Sequence, residues 1–231
     1  MTQRVGTHDD ELSSSEHEAT KKFERKLKVI IDAAAVVFRR KGYDATSLSD
    51  IADEVGLSRV ALYYYVSSKE DLLRTVIKDA VTDNVQIITA IAASDLDPMQ
   101  KLIEALGELM EAYDRHYPHL YVYAKADVDI LERDGTDETA EILQLASQYI
   151  TRFTEIIEEG GDSGSLALPS NPGISAWAIV GMLSWSHRWY KRGGPLTATE
   201  LGTVFADLVI NGLAPRDPRQ PIQRVENPPW R

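Results

Sequence analysis

ATSLSDIADEVGLSRVALYYYVSSKEDLL, residues 45–73, decides how the chain is read. Apolar side chains fall at Leu48, Ile51, Val55, Leu57 and Leu62, the pattern left by a helix, a turn and a second helix. Ala52 is small enough for two helices to cross closely, Gly56 accepts a left-handed backbone at the turn, and Leu62 plugs the angle between the helices. The spacing predicts helices over about 48–54 and 58–65, with Ser58 capping the second. Ser67 with Glu70 has the spacing of a capping box for a third helix over about 68–92. An ordinary helical corner shares the two-helix pattern, so the flanking residues have to decide what it is for.

Upstream, Leu27, Ile30, Ile31, Ala34, Val37 and Phe38 recur at helical intervals, and Gly42 closes that helix after the basic run Arg39, Arg40, Lys41. Downstream, Pro98 opens a helix to about His116 and Pro118 another to about Glu132; a long one runs over about 136–159 to a stop at Gly160-Gly161. A loop over 160–173 precedes helices over about 174–190 and 197–212, the last with Thr197 and Glu200 at capping-box spacing. Leu120 to Tyr123 is the nearest approach to a strand and does not convince. The expectation is an all-α fold of about nine helices, divided as an acidic flexible tail (1–20), a helix-turn-helix domain (21–67), a larger helical domain (68–214) and a proline-rich flexible tail (215–231).

The 231 residues contain no cysteine, which excludes disulfides, thiolate metal sites and Cys nucleophiles. The first twenty residues have no apolar run of the secretory kind, and Ile174 to Trp185 is too short to span a membrane, so a cytoplasmic protein is expected. The net charge of −11 is unevenly spread: residues 21–80 carry 12 basic and 9 acidic side chains, whereas the rest is acidic. A mildly basic unit ahead of an acidic body can be aimed at phosphate.

Residues 45–73, with Phe38 and Gly42-Tyr43 before them, resemble the DNA-binding signature of the TetR family of bacterial transcriptional regulators. The resemblance spans about residues 25–75. It implies a homodimeric repressor of palindromic double-stranded DNA, with a C-terminal helical domain for a small-molecule effector and for dimerisation. Ser58 would leave backbone N–H groups near phosphate or base edges, and Arg59 can reach guanine O6 and N7 or fall back to phosphate. Tyr63, Tyr64 and Lys69 would hold phosphates, Thr46 and Ser47 the backbone of the other strand, and Ala61 permits close approach to bases. Tyr65 resembles the family's inward aromatic plug. Val60 departs from the small residue many members carry there.

In the acidic body, Tyr113, Tyr117, Tyr121 and Tyr123 cluster around Pro118 beside His116 and His119, either lining an effector pocket or packing a helix junction. Trp185 to Thr197 is similar to a segment of actinobacterial steroid-catabolism repressors of this family that respond to acyl-CoA esters. Arg188 matches a ligand-contacting position there, for CoA phosphate or an acyl carbonyl; an ion pair in the dimer bundle is its other reading. Trp185 stands three residues before Arg188 instead of four, and Val180 replaces a second arginine. Trp177, Trp185, Leu201, Val204, Phe205 and Leu208 are candidate dimer-packing residues. No cofactor is implied. Two rival readings are a metal-dependent enzyme built on His116, His119, Asp127 and Asp129, and a helical protein-interaction module that never touches DNA.

Overall fold

In the computed structural model the described residues are 8–125, 136–167 and 171–211, and all regular structure among them is helical. The helices are α1 (His8–Lys41), α2 (Leu48–Glu54), α3 (Arg59–Tyr63), α4 (Lys69–Ala92), α5 (Pro98–Arg115), α6 (His119–Lys125), α7 (Asp137–Ser163), α8 (Pro172–Trp185) and α9 (Ala198–Asn211). A single 3₁₀ turn, Ser186–Arg188, follows α8. Two compact units are formed, one from Met1–Gln86 with Ala112–Gln148, the other from Ile87–Glu111 with Tyr149–Arg231.

The first unit is built on one apolar cluster. Ile30, Ala34, Val37 and Phe38 of α1 pack with Leu48, Ile51 and Ala52 of α2, Leu62 of α3, and Leu72, Leu73, Val76 and Ile77 of α4. Val122 of α6 and Ile142 of α7 complete it, so the helix-turn-helix shares its core with helices from the larger helical region. Gly42 (φ 83°) and Gly56 (φ 65°) take the left-handed conformation at the two tight turns.

In the second unit Leu102, Leu106, Met110, Phe153, Ile156, Ile179, Leu183, Leu201 and Phe205 are buried. Lys101 is buried among them at 4% exposure, its ammonium donating to the Ala92 carbonyl (2.9 Å) and to Glu159 (2.8 Å). Gly202 of α9 lies against Gly107 of α5, where an added Cβ would stand 2.7 Å from the Gly107 Cα.

Four boundaries differ from the sequence reading. Residues 8–20, expected as tail, already belong to α1, because the stretch after Gly6 is free of glycine and proline and contains good helix formers. The helix α7 passes through Gly160-Gly161 and ends at Ser163. Gly160 provides room for Leu166, which folds back and donates its N–H to the Gly160 carbonyl (3.0 Å), and Gly164 (φ 75°) makes the stop. The cap of α4 is one residue later than expected: Ser68 accepts from the Asp71 N–H (2.9 Å), and Asp71 accepts from the Ser67 N–H (3.0 Å). Helix α8 begins at Pro172 and yields to the 3₁₀ turn after Trp185. The Thr197–Glu200 box is formed as read, each backbone N–H meeting the other's side chain. The tail 215–231 and the end of the helix expected to reach Glu132 lie outside the described residues.

Candidate nucleic-acid interface

The frame for the site is α2. Ser47 accepts from the Asp50 N–H (3.2 Å) and Asp50 accepts from the Ser47 N–H (2.9 Å), a reciprocal box that satisfies two otherwise orphaned donors. Lys41 donates to Asp50 at 2.6 Å, and this bond with those from Ser47 pulls the carboxyl down to about 2. Arg40 reaches Glu54 at 2.7 Å. Of the basic run that ends α1, Arg40 and Lys41 are therefore engaged by α2.

Against that frame α3 presents its side chains outward. It is one turn and a half long, capped by Ser58, which accepts from the Ala61 N–H (3.1 Å), and its buried residue is Leu62. Arg59 is exposed, as are Val60 (82%), Tyr63 (46%) and Tyr64 (74%), and Ala61 is half-buried between them. The Arg59 guanidinium donates to the Tyr63 hydroxyl (3.2 Å) and lies over its ring, which pre-orders the pair on one face.

Other residues proposed for this surface are placed differently. Thr46 is buried at 3% exposure and its hydroxyl donates to the Gly42 carbonyl (2.7 Å), so it holds the α1–α2 turn instead of facing outward with Ser47. Lys69 is half-buried, donating to the Tyr43 carbonyl (3.1 Å) with its ammonium over the Tyr43 ring (4.3 Å). Tyr43 itself donates to Glu70 (3.0 Å); burial and this bond push the phenol up. Tyr65 does turn inward, stacking on Phe23 of α1 at 5.0 Å between centroids. Phe23 has no distinguishing mark in the sequence, since it stands between Lys22 and Glu24 in a charged stretch and ahead of the periodic run.

The residues expected to meet an effector fall in both units. In the first, Tyr113, Tyr117 and Tyr121 form a chain of tilted rings (6.3 and 6.2 Å), and Tyr113 is buried. Arg39 of α1 donates to the Tyr117 hydroxyl (2.6 Å) and lies over its ring, a link that sequence separation conceals. The two histidines pair separately, His116 with Asp83 (2.8 Å) and His119 with Asp32 (3.3 Å); burial, more than Asp32, sets the direction for His119, whose pKa is lowered. Asp127 and Asp129 lie outside the described residues, and among those described no cluster of metal-ligating side chains forms. In the second unit the Arg188 guanidinium stacks on Trp185 at 4.4 Å, both exposed, and no described carboxylate pairs with it.

Of the dimer candidates, Leu201 (2%) and Phe205 (4%) are core of the second unit, and Leu208 is half-buried. Trp177 (61%), Trp185 (57%) and Val204 (46%) remain outside, joined by Ile174 (63%). No described helix is long and apolar enough to cross a membrane.

Residues 30–76 match the family model described as bacterial regulatory proteins, tetR family, and residues 95–213 match the tetracyclin repressor-like C-terminal domain. The chain is 26% identical over 188 residues to the HTH-type transcriptional repressor KstR2 of Mycolicibacterium smegmatis, covering 80% of this chain and 88% of that one. Its fold matches the TetR family regulator PfmR of Thermus thermophilus (TM-score 0.72, 25% identity, 80% of this chain and 99% of that one). It also matches AibR, solved with isovaleryl coenzyme A and operator DNA, in fold (TM-score 0.66, 19% identity, 80% and 97%). With both modules matched, the chain belongs to the TetR family of bacterial regulatory proteins and is a DNA-binding transcriptional regulator, not an enzyme.

Proposed function

We propose that the chain is a dimeric repressor, working in the cytoplasm, that grips a palindromic operator through α3 and releases it on binding an acyl thioester of coenzyme A. The observation that carries the DNA half is the outward face of α3, where Arg59, Val60, Tyr63 and Tyr64 are exposed around one buried leucine. Arg59 reads base edges, Tyr63 and Tyr64 donate to phosphates, Ser47 does so only by releasing Asp50 (2.9 Å), and Ala61 keeps the backbone close. Lys69 contacts phosphate only by leaving the Tyr43 carbonyl. Ile174, Trp177 and Trp185 on α8 with Val204 on α9 give an apolar surface for a second copy, and two copies set two heads on half-sites about 34–36 Å apart.

The effector half rests on the Tyr113, Tyr117 and Tyr121 chain of the first unit; AibR and its bound isovaleryl coenzyme A suggest the ligand class. Arg39 supplies the coupling: an effector that engages Tyr117 competes for the hydroxyl that holds α1. Such a ligand acts only to the extent that it prefers one arrangement of the head over the other.

Selection of bound duplexes from a random library tests the first half. Enrichment of an inverted repeat supports it, and no enrichment at moderate salt moves the protein-interaction reading to the front. Calorimetric titration with a panel of CoA esters tests the second; heat from an unrelated apolar compound and none from the esters removes the thioester.

A further inference from the structure

The family match begins at residue 30, but α1 begins at His8, so the helix carries a long extension ahead of the shared module. Near its root this extension is strongly basic: Lys21, Lys22, Arg25, Lys26 and Lys28 stand against the single carboxylate Glu24 in residues 21–28. All but Lys26 are exposed, and the one ion pair they make among the described residues is Lys28 with Asp32 at 3.8 Å. In a protein of net charge −11, a stretch of unneutralised cations is a local feature of the surface and not its average.

The extension is also fixed in place. Phe23 stacks on Tyr65 (5.0 Å, 24°) and meets Tyr64 edge-on (5.7 Å, 76°), and the two tyrosines meet each other at 5.2 Å. These tyrosines directly follow α3, all within the first unit, so the basic segment is tied to the end of the helix that presents Arg59. Tyr64 stays 74% exposed despite the contact. Lys22 and Lys26, one before and three after Phe23, flank it along one side of the helix, while Lys21, Arg25 and Lys28 line the outer face.

We propose that this segment is a second DNA contact, an arm that binds the sugar-phosphate backbone flanking each half-site. It rests on the operator-binding reading above and deepens it. The charges suit phosphate, the ring cluster sets them beside Tyr64, and neighbouring Cα atoms about 3.8 Å apart put Lys22 within side-chain reach of the phosphates next to one held by that tyrosine. The sign of the charge reverses toward the N-terminus, with Asp9, Asp10, Glu11, Glu16 and Glu18, which confines the contact to residues 21–28. Because phosphate contacts carry no sequence information, the arm adds affinity and footprint length without altering the half-site read by Arg59.

The test uses the full chain, its selected operator, and duplexes with short or long flanks, with affinity measured by fluorescence anisotropy across a salt series. The unmodified chain should bind the long-flank duplex more tightly. The K21Q/K22Q/R25Q variant should lose that advantage and flatten the slope of log affinity against log salt by about 2 to 3, the share of three phosphate contacts. K21R/K22R should keep both. F23A should lose the flank advantage while keeping the half-site preference. A triple variant with the unmodified slope and flank dependence overturns the arm alone. Failure of the unmodified chain to bind any duplex overturns the operator reading and the arm with it.

Discussion

The two halves of the helix-turn-helix are built on opposite terms. Every polar end of α2 is answered inside the protein, by a reciprocal box between Ser47 and Asp50, by Lys41 and by Arg40, and three of its side chains are buried. By contrast α3 has one cap bond, one buried leucine, and an outward face of arginine, valine and tyrosines. A helix that short does not stand by itself in water. It is held by what surrounds it, and its side chains stay available because α2 carries the anchoring.

That division can be broken from either side. The largest effect should come from Ile51→Ala, which empties a fully buried site of α2 and should cost about 2–5 kcal/mol in chemical unfolding. The double change Arg59→Ala, Tyr63→Ala should leave unfolding within about 0.5 kcal/mol and weaken operator binding by about 1–3 kcal/mol, roughly 5- to 150-fold. Unfolding that tracks the loss of binding would mean α3 is part of the frame after all. The two caps sharpen the contrast: Ser47→Ala should cost toward 2 kcal/mol because the box works in both directions, and Ser58→Ala nearer 0.5 kcal/mol, about the range known for caps, compared by thermal unfolding. The smallest effect is in acid. The Asp50 carboxyl, held at about 2 in the folded protein, is the more easily protonated when unfolded, so its contribution is complete above about pH 4 and is lost as pH falls toward 2. Asp50→Asn should flatten that limb of the stability curve, measured by denaturant titration at stepped pH.

The helix-turn-helix was legible because its constraints are local. Gly56 at positive φ, Ala52 at a close crossing and Leu62 in the angle are requirements of neighbouring residues, and periodicity exposes them. The surroundings of Thr46 and Lys69 are not legible, for the opposite reason. A hydroxyl and an ammonium look alike in sequence whether they meet solvent or a carbonyl, and only the turn at Gly42 to Asp44 brings those carbonyls within 2.7–3.5 Å. The stop at Gly160-Gly161 failed because glycine also occurs where another side chain must pass, here Leu166. Arg39 with Tyr117, and Phe23 with Tyr64 and Tyr65, join positions far apart in the chain, which no spacing rule reports.

At Gly202 and Gly107 the backbones of α9 and α5 touch with no side chain between them. Side chains cushion most helix crossings and let them slide or tilt by changing rotamers. Here there is nothing to rearrange, so the two helices are geared to move together. The outer surface of α9, with Val204 at its centre, takes its height from a missing methyl on the inner one. A single carbon added at position 202 would lift that surface without changing any residue on it.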